Sequence, residues 1–133
     1  MKKRKVLIVD DEMDMRTYIS TLLETSGYTP LVAENGQEGL QKARDLKPEL
    51  IILDIMMPQE SGISMYQQLK IDKELKGIPV IVVSAISKKT FFHSQGTLSS
   101  YMGEPLPEPE AYIEKPPEPE ELYHWTSHFL TQK

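Results

Sequence analysis

The feature that most constrains the fold of this chain is a short apolar run that ends in a carboxylate. Residues Leu50–Leu53 are four large apolar residues, with Pro48 upstream and Pro58 downstream. A run this short is typical of a strand that is buried on both faces. Asp54 follows it directly. Ligands of parallel α/β sheets bind at the carboxyl edge of the strands, so Asp54 is a candidate reactive group, although Asp at a strand end also simply begins turns.

A second apolar run, residues 6–9, ends in the same way, since Asp10, Asp11 and Glu12 follow it. Apolar residues at helical spacing come next and predict a helix with Asp14 as its N-cap. Three further strand-like segments are residues 29–33, 80–83 and 111–113. Strands that alternate with helical segments predict right-handed βαβ units and a parallel sheet covered on both faces.

Composition excludes several classes of function. The chain has 133 residues, which predicts one domain, and a net charge of −5, which argues against nonspecific binding of nucleic acids. It has no cysteine, and this excludes disulfides, thiol catalysis and cysteine-type zinc sites. No apolar run is long enough to span a membrane and no secretory leader is recognisable, so we expect a cytoplasmic protein that does not bind membranes.

The strand ends predict one polar pocket. If the first and third strands are neighbours, Asp10, Asp11 and Asp54 meet at one edge, where three like charges repel one another and require a cation. Oxygen ligands without histidine or cysteine suit Mg²⁺. Ser84 ends the fourth strand and Lys115 follows the fifth. Carboxylates, a divalent metal, a hydroxyl and an amine together are typical of a phosphoryl-transfer site.

Four motifs in this order resemble the receiver domain of two-component response regulators: residues 6–12, 50–62, 80–85 and 112–116. The resemblance spans nearly the whole chain. It implies an α/β fold with a doubly wound, flavodoxin-like, five-stranded parallel sheet of order 2-1-3-4-5 and helices on both faces. It also implies that residues 1–133 form a single receiver domain.

The resemblance further implies a role for each residue of the pocket. The roles are phosphoacceptor for Asp54, Mg²⁺ ligands for Asp10, Asp11, Asp54 and the backbone carbonyl of Met56, switch hydroxyl for Ser84, switch aromatic for Tyr112, and phosphoryl-binding amine for Lys115. Lys115-Pro116 would be a cis peptide. The implied function is a signalling switch, and not an enzyme beyond slow self-catalysed phosphorylation and dephosphorylation. Its partners would be a histidine kinase or phosphotransfer protein and a downstream protein.

Two features depart from the family pattern. Ser61 stands where the family commonly has an acidic residue, and Ser caps a helix equally well. Lys115 follows Ser84 by 31 positions, a longer spacing than is usual in the family. The surplus makes residues 86–110 an atypical region, comprising the fourth-helix segment and a loop rich in Pro and Glu.

That loop, residues 104–110, contains three prolines and three glutamates. This composition predicts an extended surface loop that joins neither the sheet nor a helix. We expect it to form the partner-recognition face together with residues 91–102.

Two other functions stay open from the sequence. One is a Mg²⁺-dependent phosphatase for small phosphate esters on a similar architecture, with Asp54 or Asp10 as nucleophile. Such enzymes carry a second acid two residues after the nucleophile, and Glu12 stands at that position after Asp10. The other is a receiver that is part of a longer regulator with a DNA-binding output domain.

Overall fold

The computed structural model describes residues 3–90 and 107–131, and in these two stretches the chain forms a parallel sheet with helices on both faces. The strands are β1 (Lys5–Val9), β2 (Thr29–Ala33), β3 (Leu50–Leu53), β4 (Val80–Ser84) and β5 (Ala111–Glu114). The helices are α1 (Met13–Thr25), α2 (Gly36–Leu46), α3 (Ser61–Ile71), which follows a 3₁₀ turn at Pro58–Glu60, and α4 (Pro119–Thr131). All neighbouring strands are parallel, in the order β2-β1-β3-β4-β5, which confirms the predicted architecture.

The apolar strands separate two layers of core. Side chains of successive strand residues point to opposite faces of a sheet. Leu7 and Val9 accordingly pack in the layer under α2 and α3, whereas Val6 and Ile8 pack in the layer under α1 and α4. Burial on both faces explains why residues 6–9 of β1, 50–53 of β3 and 80–83 of β4 are uninterrupted apolar runs. None of the helices in residues 3–90 and 107–131 combines the length and the apolarity needed to cross a bilayer.

The start of α1 differs from the prediction. The helix begins at Met13 with Glu12 at the N-cap position, and Asp14 lies inside the first turn. The prediction that Asp14 caps this helix is therefore wrong. The loop before the helix is fixed instead by Asp10, whose side chain accepts a hydrogen bond from the Glu12 N–H and whose carbonyl accepts one from Arg16. Asp14 still lies where the helix dipole favours a negative charge.

The described end of the Pro/Glu-rich loop, residues 107–110, belongs to no strand or helix, as predicted. Glu110, a bend directly before β5, donates its N–H to the carbonyl of Val80 at 3.0 Å, and its carboxylate accepts the Val80 N–H at 2.7 Å. These two bonds attach the end of the loop to the first residue of β4, a contact that the composition of the loop did not predict. Residues 91–102, the other part of the expected recognition face, lie outside the described residues.

Candidate functional site

Two buried carboxylates lie side by side at the carboxyl edge of the sheet. Asp10 follows β1 and Asp54 follows β3, and these strands are paired so that Val9 lies opposite Leu53. The Asp54 N–H continues the ladder by donating to the carbonyl of Val9 at 2.9 Å. Asp10 is 2% exposed and Asp54 is 3% exposed. Adjacent parallel strands thus deliver both carboxylates to one pocket, as the sequence predicted.

Each carboxylate is oriented by its own loop. Asp10 Oδ1 accepts the N–H of Glu12 at 2.9 Å, and Asp54 Oδ1 accepts the N–H of Met56 at 2.8 Å. Asp side chains commonly bond the backbone two residues further along in this way. In both residues Oδ1 is held by the backbone, which leaves Oδ2 to face the pocket.

A lysine that follows the edge strand β5 reaches into this pocket. Lys115 Nζ lies 2.9 Å from Asp10 Oδ2, 3.0 Å from Asp54 Oδ2 and 2.8 Å from Glu12 Oε1. The side chain of Lys115 is 11% exposed. The backbone N–H of Lys115 donates to the carbonyl of Ser84 at 2.9 Å, so the end of β5 is held against the end of β4. The peptide bond from Lys115 to Pro116 is cis, as expected.

The charges of the pocket shift one another's protonation. Burial alone would lower the pKa of Lys115, but its hydrogen bonds to Glu12, Asp10 and Asp54 outweigh burial and raise that pKa. Burial raises the pKa of Asp10, and the Glu12 N–H and Lys115 oppose this shift only in part. The hydrogen bond from Lys115 lowers the pKa of Glu12. The lysine is therefore firmly cationic, which is the form that binds an anionic phosphoryl group.

The hydroxyl groups of the pocket come from β4 and β5. Ser84 is fully buried at the end of β4, and its Oγ accepts the N–H of Ile86 at 3.4 Å. Tyr112 donates its hydroxyl to the carbonyl of Ile86 at 2.7 Å. Burial is the main cause that raises the pKa of Tyr112 to about 12, so its hydroxyl stays a donor at neutral pH. One backbone segment, at Ile86, thus links the two residues expected to switch.

Comparison with known proteins agrees with this geometry. The family model described as response regulator receiver domain matches residues 6–99. The chain belongs to this family. It is 37% identical over 111 residues to the polar-differentiation response regulator DivK of Brucella anthropi, and the match covers 82% of this chain and 89% of that protein.

Solved structures give the same fold. The chemotaxis protein CheY4 of Vibrio cholerae superposes with a TM-score of 0.78 at 25% identity, covering 97% of this chain and 100% of that one. A response regulator of Chloroflexus aurantiacus, called putative in its structure report, reaches a TM-score of 0.80 at 23% identity, over 98% of this chain and 100% of that one, and supports the fold alone. Receiver domains are phosphorylation-dependent switches of two-component systems, which interact with histidine kinases and downstream effectors, and this chain is such a domain.

The receiver pocket contains one acidic residue, Glu12, that the sequence assigned only to the phosphatase alternative and not to the Mg²⁺ ligands. Among residues 3–90 and 107–131, Asp10, Glu12 and Asp54 form a group whose ligand oxygens lie within 4.8 Å of one another. Glu12 stands at the rim with 62% of its side chain exposed. An all-oxygen set of this kind fits a hard divalent cation such as Mg²⁺. The sequence signals for Glu12 were its place directly after Asp10 and Asp11 and its spacing of two residues from Asp10.

The structure also gives the positions of Asp11, Met56 and Ser61, which were expected in or beside the receiver site. Asp11 is exposed and is not a member of the carboxylate group. The side chain of Met56 is 54% exposed, while its N–H orients Asp54. The Ser61 hydroxyl is buried without a hydrogen-bond partner, so within the described part of the chain it makes no capping bond to α3. The expectation that Ser61 caps this helix as an acidic residue would is therefore wrong.

Proposed function

We propose that this receiver accepts a phosphoryl group on Asp54 from a histidine kinase, a phosphotransfer protein or a small phosphodonor, and then signals by contact with a downstream protein. The observation that carries the proposal is the state of the Asp54 carboxylate, which is buried, oriented by the Met56 N–H and 3.0 Å from the Lys115 amine. A carboxylate held in this way is pre-positioned as a nucleophile beside a cation that neutralises the incoming phosphoryl group.

We place Mg²⁺ in the same pocket. Its proposed ligands are Asp10, Asp54, the backbone carbonyl of Met56 and, through water from its exposed position, Asp11. The metal would supply charge neutralisation at the phosphoryl oxygens. Lys115 contacts all three clustered carboxylates, and its ammonium would bind an oxygen of the phosphoryl group.

The phosphoryl transfer to Asp54 is a displacement at phosphorus. A carboxylate oxygen of Asp54 forms the new bond to phosphorus, and the bond between phosphorus and the donor's nitrogen or oxygen breaks. The donor atom keeps that electron pair, and the product is an aspartyl phosphate. Lys115 and the Ser84 hydroxyl then donate hydrogen bonds to the phosphoryl oxygens, which draws Ser84 away from the Ile86 N–H and changes the surroundings of Tyr112.

The test is labelling by acetyl phosphate, followed by intact-protein mass spectrometry. Wild-type protein should gain one phosphoryl group with Mg²⁺ and none with a chelator, and Asp54→Ala should gain none. Asp45→Ala, which removes an exposed acid at the end of α2, should label as wild type does. Equal labelling of Asp54→Ala and wild type would contradict the proposal.

A second candidate rests on Glu12, which follows Asp10 by two positions and shares its pocket. A phosphatase with Asp10 as nucleophile would release phosphate continuously from small phosphate esters. We expect no such turnover, because Lys115 engages Glu12 in an ion pair of 2.8 Å. A cytoplasmic location stays a prediction. The alternative that the receiver is part of a longer regulator with a DNA-binding output domain stays open.

A further inference from the structure

Glu110 closes the pairing of β5 with β4 at the end remote from the active pocket. Its N–H donates to the Val80 carbonyl at 3.0 Å, and Val80 returns its own N–H to Glu110 Oε1 at 2.7 Å. A backbone atom and a side-chain atom of one residue thus satisfy both groups of Val80 that face β5. The next pairs along the ladder are Ile81 with Ala111 and Val82 with Tyr112.

Helix α3 holds Glu110 in this position. Lys70 Nζ lies 3.2 Å from Glu110 Oε1 and 3.4 Å from Oε2, and only 5% of the Lys70 side chain is exposed. Lys70 Nζ also lies 5.6 Å from the centre of the Tyr66 ring. The buried Tyr66 donates its hydroxyl to the carbonyl of Pro107. We call Tyr66, Lys70, Val80, Pro107 and Glu110 the β5 anchor.

The register of β5 needs such an anchor. A long connection between two strands restrains their relative position only weakly, because the entropy of loop closure changes slowly with length. A slip of two residues would keep the inward and outward faces of β5 but move Lys115 along the sheet by about 7 Å. In the structure Ser84 lies opposite Glu114, and the Lys115 N–H donates to the Ser84 carbonyl. This one register places the Lys115 amine at Asp54.

We propose that Glu110 is a positioning residue that fixes the register of β5 on β4, and thereby places Lys115 and Tyr112 in the phosphoryl pocket, with Lys70 and Tyr66 holding Glu110 in place. The functional half of the proposal rests on the phosphorylation of Asp54 proposed above. The structural half does not, because the register can be measured without a phosphodonor.

The variants must separate the hydrogen bond to Val80 from the burial of charge. Glu110→Ala alone leaves the Lys70 ammonium buried without this carboxylate, which risks a failure to fold. The pair to compare is therefore Lys70→Met with Glu110→Ala and Lys70→Met with Glu110→Gln. Both remove the ion pair, but only the glutamine retains an oxygen that can accept the Val80 N–H.

The first readout is amide hydrogen exchange at Val80 and Lys115. The alanine double variant should exchange at both amides at least about tenfold faster than wild type, and the glutamine double variant should stay within about twofold. Wild-type exchange at Lys115 in the alanine variant would overturn the proposal, since the register would then not depend on Glu110.

The second readout is the phosphorylation rate at saturating acetyl phosphate, with Mg²⁺ affinity measured alongside. Displacement of the Lys115 amine should lower that rate about tenfold in the alanine double variant and should not weaken Mg²⁺ binding. Ile19→Val serves as the control for lost stability, because Ile19 is buried in the opposite layer under α1 and should leave the rate unchanged.

Equal rates in the alanine double variant and wild type would overturn the positioning role while the proposed function stands. A wild-type protein that takes no label would instead refute the proposed function. The exchange at Val80 and Lys115 would still decide the register in that case.

Discussion

The two halves of the phosphoryl pocket are built in different ways. In the half formed by β1 and β3, Asp10 and Asp54 follow their strands directly and are oriented by N–H groups two residues further along. In the half formed by β4 and β5, the position of Lys115 depends on the register of a short strand and on side chains of α3 that hold Glu110. The first half is determined by local geometry, whereas the second depends on contacts between distant segments.

This difference indicates which half tolerates change. A strand end and its turn are specified by a few neighbouring residues, so variation elsewhere leaves the Asp54 side intact. The Lys115 side requires a device that compensates for the long connection from Ser84. We therefore expect variants of the β1–β3 half to act on the Asp54 carboxylate itself, and variants of the β4–β5 half to act through the position of Lys115.

We expect the largest loss of stability from a substitution at Gly62, which lies against the backbone of Asp54 in the β1–β3 half. A Cβ placed on Gly62 would lie 2.2 Å from the Asp54 carbonyl oxygen and 2.7 Å from Ile55 Cα. Gly62→Ala must therefore displace the backbone that carries Asp54, and we expect it to lower the free energy of unfolding by about 3 kcal/mol or more. Urea unfolding measures this loss.

Gly77→Ala is the matched control for that prediction. A Cβ at Gly77 would meet nothing within 4 Å, so its free energy of unfolding should stay within about 0.5 kcal/mol of wild type. A loss in Gly62→Ala no larger than in Gly77→Ala would show that the Asp54 loop is not held rigidly.

We expect the next largest loss of stability from a substitution at Lys115, where the two halves of the pocket meet. Lys115→Met removes the ammonium from between Asp10, Glu12 and Asp54, which leaves three carboxylates to repel one another. Without Mg²⁺ we expect the free energy of unfolding to fall by about 2 kcal/mol. Mg²⁺ should restore most of this loss and bind as tightly as in wild type or more tightly, since a competing cation is gone.

Thermal unfolding with and without Mg²⁺ tests the Lys115 prediction. Lys76→Met, which removes an exposed lysine, should leave both values unchanged. Weaker Mg²⁺ binding in Lys115→Met would mean that Lys115 builds the metal site instead of competing with the metal.

The smallest effect concerns the hydroxyl of Tyr112 in the β4–β5 half. Tyr112→Phe removes the hydrogen bond to the Ile86 carbonyl, and we expect a loss of about 1 kcal/mol at pH 7. Because burial raises the pKa of Tyr112 to about 12, the stability that this group contributes is present below its ordinary pKa of about 10 and is lost as the pH rises towards the folded value.

Urea unfolding at pH 7 and at pH 11 tests the sign of this dependence. The difference between wild type and Tyr112→Phe should shrink as the pH rises, because only wild type loses the contribution of this hydroxyl. A difference that grows with pH would contradict the assignment of Tyr112 as a buried, neutral donor.

The β1–β3 half of the pocket could be predicted from the sequence better than the β4–β5 half. The strands and both buried carboxylates could be predicted, because an apolar run and the acid after it are adjacent in the chain. The contact of Lys115 with Glu12 joins residues 103 positions apart, and that of Lys70 with Glu110 joins residues 40 positions apart. No local pattern specifies such pairs.

Glu110 shows what composition does not predict. Its neighbours are prolines and glutamates, which predict an extended surface loop, and the described residues 107–110 form no strand or helix. The composition gives no sign of the two hydrogen bonds between Glu110 and Val80, because the two residues are far apart in the chain. The start of α1 was predicted too late, since the Asp10 side chain orders the loop and the helix begins before Asp14.

Mapping the modified residue shows whether Asp54 is the phosphoacceptor. Protein labelled with acetyl phosphate and Mg²⁺ is treated with borohydride, which reduces an aspartyl phosphate to homoserine, and the digested peptides are sequenced by mass spectrometry. We predict homoserine at position 54 alone, and none in samples labelled without Mg²⁺. Homoserine at position 10 or 11 would contradict this assignment, and homoserine at position 10 would favour the phosphatase in which Asp10 is the nucleophile.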